Sequence, residues 1–152
     1  MRILSPIPAM VDKTYISNSY EETKEIAKQF AISLNKGDFV ALYGDLGAGK
    51  TAFTSGLASV ISPDDSVCSP TYTIVNEYTS GKIKLCHFDM YRICDYDDLY
   101  SIGFFDYDDC IIVTEWSENI PYALPEHYYK VEIFKDAEDE NKRTISIEEV
   151  GR

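Results

Sequence analysis

The chain has 152 residues, of which 45% are apolar and 26% are charged, a composition typical of a soluble globular protein. This length suits one domain with its own core, so we expect residues 1–152 to form a single domain. The net charge of −12 argues against direct binding of nucleic acid by this chain alone, because a phosphate backbone requires a basic surface.

Membrane and metal-binding classes are not favoured either. No apolar run is long enough to span a bilayer, and the first ten residues, interrupted by Pro6 and Pro8, lack the apolar segment of a secretory signal. We therefore expect a cytoplasmic protein without a membrane association. The cysteines form no C-x-x-C pair, which predicts reduced thiols rather than zinc ligands at Cys68, Cys86, Cys94 and Cys110.

The first predicted elements are a short strand at residues 13–17 and a helix at residues 19–34. Ser19 and Glu22 have the spacing of a capping box, and apolar residues then recur at helical intervals. Gly37 is the predicted C-cap signal of this helix.

The stretch GDLGAGKT, residues 44–51, lies between an apolar run predicted as a strand (39–43) and a predicted helix (51–61). Its spacing, G-x-x-x-x-G-K-[ST], indicates a loop whose backbone N–H groups surround phosphate. The helix N-terminus adds unpaired donors and partial positive charge. Lys50 is expected to reach the β- and γ-phosphates, and the Thr51 hydroxyl to ligate Mg²⁺.

The second half of the chain predicts two hairpins around a buried strand. A loop at 62–71 leads into the elements at 71–78, 83–91, 95–102, 111–115, 128–134 and 143–150. The segment 95–102 is predicted as a short helix that ends at Gly103. The strands at 71–78 and 83–91 form one predicted hairpin, and those at 128–134 and 143–150 form the other. The segment 119–126 is predicted as a connector. The predicted fold class is α/β, a P-loop NTPase-like sandwich whose mixed central sheet has a parallel nucleotide-binding core and antiparallel hairpin strands.

Two acidic residues end predicted strands and could serve the phosphate site. Glu115 follows the apolar run IIVT, the pattern of a Walker B strand, and Asp89 follows KLCHF. Both are expected at the sheet edge where α/β proteins bind ligands, although either could be a solvated carboxylate at a strand end. Thr71, in the loop after the P-loop helix, could sense the γ-phosphate or could belong to a plain turn.

Other nucleotide-binding classes have weaker support. The guanine-reading pattern N-K-x-D occurs at 35–38, but it precedes the P-loop strand, so adenine nucleotides are expected. The four arginines form no cluster of the kind that a kinase lid carries. A small-molecule or nucleotide kinase and a non-hydrolysing nucleotide-sensing adaptor remain the alternatives. The twelve tyrosines fit either a protein interface or half-buried sheet positions.

Five blocks together resemble the TsaE (YjeE) family of P-loop ATPases in bacterial tRNA threonylcarbamoyladenosine synthesis. They are LYGDLGAGKTAF, SPTYTIVNEY, HFDMYR, the IGF segment, and EW with a following LP. The resemblance implies an ATPase that acts on a TsaB–TsaD complex, weak alone and stimulated by these partners, with tRNA contacted only through the complex. It also implies nucleotide binding by Gly44, Asp45, Leu46, Gly47, Ala48, Gly49, Lys50, Thr51 and Arg143.

The resemblance further implies that ATP and Mg²⁺ are the cofactors. Thr51 and Glu115 would hold the metal, Asp89 would position the attacking water or order the switch loop, and Thr71 would be the switch threonine. Adenine contacts are carried over only to the region of residues 19–23 and to Arg143. The roles of four further family positions stay open: His87, Tyr91, Arg92 and Trp116. Arg92 could touch phosphate, a partner or a neighbouring aspartate, and Trp116 could be a core residue.

Overall fold

The computed structural model describes residues 10–45, 47–68, 70 and 73–151, and these residues form a seven-stranded sheet flanked by helices. The strands are β1 (Lys13–Ser17), β2 (Phe39–Tyr43), β3 (Val75–Tyr78), β4 (Lys84–Asp89), β5 (Cys110–Glu115), β6 (Tyr128–Lys135) and β7 (Arg143–Val150). The α-helices are α1 (Tyr20–Ala31), α2 (Lys50–Ile61) and α3 (Tyr96–Ser101). Short 3-10 helices cover Phe104–Asp106, Ser117–Asn119 and Pro121–Ala123.

The strand order is β1-β7-β6-β2-β5-β4-β3. β2 is parallel to both of its neighbours, β5 and β6, and β5 is also parallel to β4. The outer pairings, β1 with β7, β6 with β7 and β3 with β4, are antiparallel. The predicted α/β sandwich with a parallel core and two antiparallel hairpins is therefore confirmed.

Apolar side chains fill a core on each face of the sheet, because successive strand residues point to opposite faces. Val40 and Leu42 pack with Phe30 of α1 and Phe53 of α2. Phe39 and Ala41 instead belong to the other core, which contains Phe88, Leu99 and Phe104. No helix within the described ranges is both long and apolar enough to cross a membrane.

Helix α1 begins as predicted and ends earlier. The Ser19 side chain accepts from the Glu22 backbone N–H at 3.1 Å, and Glu22 Oε1 accepts from the Asn18 N–H at 2.8 Å, so the predicted cap is confirmed. The helix ends at Ala31 rather than at residue 34. Gly37 is not its cap: at φ +95° it donates its N–H to Cys110 O at 2.9 Å, which ties the turn before β2 to β5.

The strand predicted at 71–78 begins only at Val75. Before it, Thr73 and Ile74 form a turn in which the Ile74 N–H donates to Pro70 O at 2.8 Å. Ile74 has φ +70°, a conformation that a β-branched residue rarely adopts. The switch candidate Thr71 lies outside the described residues.

Candidate functional site

The glycine-rich loop joins β2 to α2 and leaves the first turn of α2 open. Gly44 has φ +153°, and a Cβ there would lie 2.7 Å from the Ile133 carbonyl oxygen, so only glycine fits against β6. Gly49, at φ +116°, is the N-cap of α2 and supplies no side-chain cap. No acidic residue occupies the first turn. The N–H groups of this helix end are therefore available to an anion. Leu46 lies outside the described residues.

Lys50 is held over this loop. Its side chain is 7% exposed, its ammonium group donates to Gly44 O at 2.7 Å, and Nζ lies 5.3 Å from the centre of the Trp116 ring. The loop carbonyl and the indole face thus keep the cation at the mouth of the loop. Thr51 follows in the first turn of α2, where its side chain is exposed.

The two predicted carboxylates lie side by side. Asp89 ends β4, Glu115 ends β5, and the two residues are register partners in the parallel pair. Each is only 7% exposed. Because β2 runs parallel to β5, the glycine loop starts from the same edge of the sheet. Asp89 Oδ1 also accepts from the Tyr91 N–H at 2.9 Å, which fixes the turn after β4.

A contact that the sequence reasoning missed orients Glu115. His87 Nε2 lies 2.5 Å from Glu115 Oε2, and the histidine is fully buried. An ionised carboxylate can only accept, so Nε2 is the donor in this bond. None of the described residues offers a partner to the other ring nitrogen, Nδ1. The sequence contained one indication of this contact. Strand alternation places His87 on the same face of β4 as Asp89, which is the register partner of Glu115.

Trp116 and Tyr91 close one side of the site. Trp116 follows Glu115 with φ +56°, and its ring centre lies 4.9 Å from that of Tyr91. The Met90 N–H donates to Glu115 O at 3.0 Å, and Asn119 Nδ2 donates to Met90 O at 3.0 Å. The turns after β4 and β5 are thus bonded together. Trp116 is half-buried and in contact with Lys50 as well as with the second core.

Arg143 braces the glycine loop from the far side. Its Nε donates to Ala48 O at 2.8 Å and one terminal nitrogen donates to Gly47 O at 3.3 Å, across 95 residues of sequence. Another nitrogen donates to Glu140 O at 2.6 Å. The side chain predicted to contact nucleotide therefore holds the carbonyls of Gly47 and Ala48.

A cleft of about 210 Å³ lies beside the loop. Its walls come from the start of α1, from the glycine loop and from the 140–143 turn: Ser19, Tyr20, Thr23, Gly47, Ala48, Gly49, Ala52, Glu140, Asn141 and Arg143. The structure thus brings the region 19–23 and Arg143, separately predicted as adenine contacts, into one cleft that continues from the phosphate loop.

Other predicted residues lie apart from this centre or have few contacts. Asp45 is exposed, and its carbonyl oxygen accepts from the Ala48 N–H at 2.9 Å. Arg92 is exposed and, within the described residues, forms no ion pair with Asp95 or Asp97. The four cysteines are free, with Cys86 and Cys110 buried.

The donor set at the sheet edge suits a cation shared with phosphate. No group of three or more His, Cys, Asp or Glu side chains in the described part of the chain could hold a metal ion by itself. Mg²⁺ commonly takes one or two carboxylates and completes its shell with phosphate oxygens and water. The buried Glu115 carboxylate beside the glycine loop fits that pattern.

Comparisons with known proteins point to one family. The family model of "Threonylcarbamoyl adenosine biosynthesis protein TsaE" matches residues 17–145. Proteins named tRNA threonylcarbamoyladenosine biosynthesis protein TsaE include one from Bacillus subtilis (strain 168), 37% identical over 126 residues, 83% of this chain and 80% of the relative. Another, from Aquifex aeolicus (strain VF5), is 38% identical over 138 residues, 89% of this chain and 95% of the relative.

The fold of a solved relative is also similar. A crystal structure of Bacillus subtilis YdiB superposes with a TM-score of 0.73 at 31% identity, covering 92% of this chain and 86% of that one. A nucleotide-type glycine loop, two carboxylates at the same sheet edge, the matching family model and relatives aligned over most of their length lead to one conclusion. The chain belongs to the TsaE family.

Proposed function

We propose that this protein is a Mg²⁺-dependent ATPase that supports the threonylcarbamoyladenosine modification of tRNA. The observation that carries the proposal is the meeting of an uncapped helix N-terminus, a buried lysine and two buried carboxylates at one sheet edge. The family and the names of the relatives supply the pathway. The arrangement of the site residues supports the binding and hydrolysis of ATP.

Gly44 to Thr51 bind the phosphates. The Lys50 ammonium, now bonded to Gly44 O, exchanges that carbonyl for a β- or γ-phosphate oxygen when nucleotide enters. This exchange costs little, because the lysine is already desolvated and already positioned over the loop. Arg143 keeps the Gly47 and Ala48 carbonyls turned away from the anion.

The Thr51 hydroxyl and the Glu115 carboxylate are the side chains that would hold Mg²⁺. When bound, the ion neutralises charge that develops on the phosphate oxygens. The bond from His87 to Oε2 fixes the orientation of the Glu115 carboxylate and leaves Oε1 for the metal. Asp89, beside Glu115, orients the attacking water or the switch loop that contains Thr71.

The adenosine part of ATP occupies the cleft between the start of α1 and the 140–143 turn. Tyr20, 55% exposed at the rim, offers a ring face against which a base can stack. The cleft is open on this side, which suits exchange of ATP and ADP during a partner-driven cycle.

The partners are TsaB and TsaD, and tRNA is reached only through their complex. A net charge of −12 disfavours direct contact between this chain and a tRNA backbone. Hydrolysis by the chain alone is weak, and the assembled complex stimulates it. These steps take place in the cytoplasm.

The test combines nucleotide binding with hydrolysis. ATP, but not GTP, should raise the melting temperature, since a ligand that binds only the native state stabilises it. Lys50→Ala should remove most of that shift and the stimulated hydrolysis. Lys84→Ala is the matched control, because Lys84 also lies 5.3 Å from an aromatic ring, that of Tyr107, at the opposite edge of the sheet.

Three results would overturn the proposal. Equal shifts with GTP and ATP would remove the adenine assignment. Nucleotide binding without turnover, even in the complete TsaB–TsaD assembly, would make the protein a sensing adaptor, and phosphate transfer to a small acceptor without any partner would make it a kinase.

A further inference from the structure

Four exposed aromatic rings form one continuous surface on the side of α3. Tyr96, Tyr100, Phe105 and Tyr122, here called the aromatic surface, are 48%, 66%, 42% and 37% exposed. The rings of Tyr96 and Tyr122 lie 4.8 Å apart, as do those of Tyr100 and Phe105, and Tyr96 stacks on Phe105 at 6.2 Å. A cluster of exposed aromatic side chains in mutual contact is typical of protein interfaces and is costly to leave in water.

Buried neighbours and a hydrogen bond fix the position of the aromatic surface. Leu99 and Phe104, which alternate with the exposed rings along the chain, are buried in the second core. The Tyr96 hydroxyl donates to Tyr122 O at 2.6 Å and so ties α3 to the 121–123 turn. Rings that are already fixed lose little conformational freedom when a partner covers them, which favours binding.

Uncompensated negative charge surrounds these rings. Asp95, Asp97 and Asp106 are exposed, and none of them forms an ion pair within the described residues. Asp95 and Asp97 flank Tyr96 in the chain, and Asp106 follows Phe105, so these carboxylates lie beside the rings. Burial and then the negative charges of Asp95 and Asp98 raise the pKa of Tyr122. The combination of aromatic faces with carboxylates matches arginine and lysine side chains, which bind both.

We propose that the aromatic surface is the docking site for a partner protein whose matching face has an apolar centre and a rim of arginine or lysine. A second copy of this chain is a poor occupant, because two acidic rims would face each other. Nucleic acid and anionic lipid are repelled by the same aspartates. This inference rests on the proposed function, since the TsaB–TsaD complex is the partner with which we test it.

The surface adjoins the nucleotide site through a short segment. The Cys94 N–H donates to Asp98 Oδ2 at 2.8 Å, and four residues earlier Met90 bonds to the backbone of Glu115 at 3.0 Å. The segment 90–95 thus joins Asp89 directly to Tyr96, the first ring of the aromatic surface, which suits a partner that stimulates hydrolysis.

The experiment measures binding of purified TsaB–TsaD complex from the same organism by titration calorimetry. The double variant Tyr100→Ser/Phe105→Ser should bind at least about tenfold more weakly, because exposed aromatic residues dominate interface energetics. Ile32→Ser, which removes a residue 49% exposed at the C-cap of α1, should bind as wild type does. Asp97→Lys/Asp106→Lys should also bind more weakly and with a flatter salt dependence. Unchanged melting temperatures and ATP shifts establish that the variants are folded.

The outcomes separate the two proposals. Stimulated hydrolysis and wild-type affinity in the double variant would overturn the docking site and leave the ATPase standing. Loss of binding in the double variant, with no turnover in any assembly, would support the docking site and overturn the ATPase. If wild type does not bind the complex, the assigned partner and the docking site both fail. Self-association of wild type that the double variant abolishes would assign the surface to a second copy.

Discussion

Two histidine–glutamate pairs in the described part of the chain show how one kind of contact differs with its place in the fold. His87 meets Glu115 at 2.5 Å with side-chain exposures of 0% and 9%. His127 meets Glu149 at 2.7 Å, but those side chains are 40% and 20% exposed. The first pair lies near the carboxyl ends of parallel strands beside the glycine loop. The second lies at the amino end of β6, at the opposite edge of the sheet.

The difference in burial indicates which of the two pairs can orient a functional carboxylate. A buried, directional bond beside an anion-binding loop orients a carboxylate that water would otherwise leave mobile. A half-exposed pair on a hairpin competes with water and contributes little even to stability. Distance and residue type alone would rank the pairs as near equals. Their surroundings distinguish them.

The largest expected effect comes from Glu115→Gln. The change keeps the size of the side chain and an oxygen that His87 can donate to, but it removes the negative charge that we propose binds Mg²⁺. We expect partner-stimulated hydrolysis to fall on the order of 1,000-fold, comparable to the loss of a main electrostatic group of a site, and the Mg²⁺ requirement to rise. Steady-state hydrolysis across a Mg²⁺ titration measures both.

The control for this change is Glu149→Gln in the other pair. It removes the same charge from the same type of contact, so its hydrolysis should match that of wild type. Equal losses in the two variants would show that Glu115 acts through general stability and not through the metal.

Asp89→Asn should have the next largest effect. Its position beside Glu115 in the strand register predicts a role in placing the nucleophile. We expect turnover to fall on the order of 100-fold, as for a general base, while Mg²⁺-ATP affinity stays near that of wild type. If Asp89→Asn instead loses Mg²⁺ and Glu115→Gln retains it, the two roles are reversed.

A smaller effect is expected at His87. His87→Leu removes the donor to Glu115, and a lost contact of this kind typically weakens metal affinity or activity about tenfold or more. His87→Gln places an amide donor near the position of Nε2 and should restore much of the loss. Calorimetric Mg²⁺-ATP titration of both variants tests this order, and a glutamine variant no better than leucine would contradict a positioning role.

The smallest effect belongs to His127→Gln. Because the pair is half-exposed, we expect a change in unfolding free energy below about 1 kcal/mol and no change in hydrolysis. Urea denaturation and the hydrolysis assay measure the two quantities. A hydrolysis defect here would erase the distinction between the pairs.

Local patterns in the sequence predicted much of this architecture. Short-range patterns predicted the capping box at Ser19, the strand–loop–helix around Lys50 and both hairpins. Each of these features depends on residues that are close together in the chain. The placement of Asp89 and Glu115 at one edge also followed, because parallel strands share their carboxyl ends.

What sequence reasoning missed depends on contacts between distant segments. The bond from His87 to Glu115 requires the register of β4 against β5, which neither strand encodes alone. The bracing of Ala48 by Arg143 spans 95 residues. The early end of α1 was missed because helical apolar spacing continues beyond Ala31, although the chain there has already turned toward β2.

The position of Trp116 has a practical consequence. It is the single tryptophan of the chain, and its indole lies 5.3 Å from the Lys50 ammonium and against the Tyr91 ring. Tryptophan emission from this protein therefore originates at one point, the mouth of the glycine loop. If Lys50 leaves the indole for a phosphate, as proposed above, the charge above the ring changes, and the emission of Trp116 would report nucleotide binding without any label.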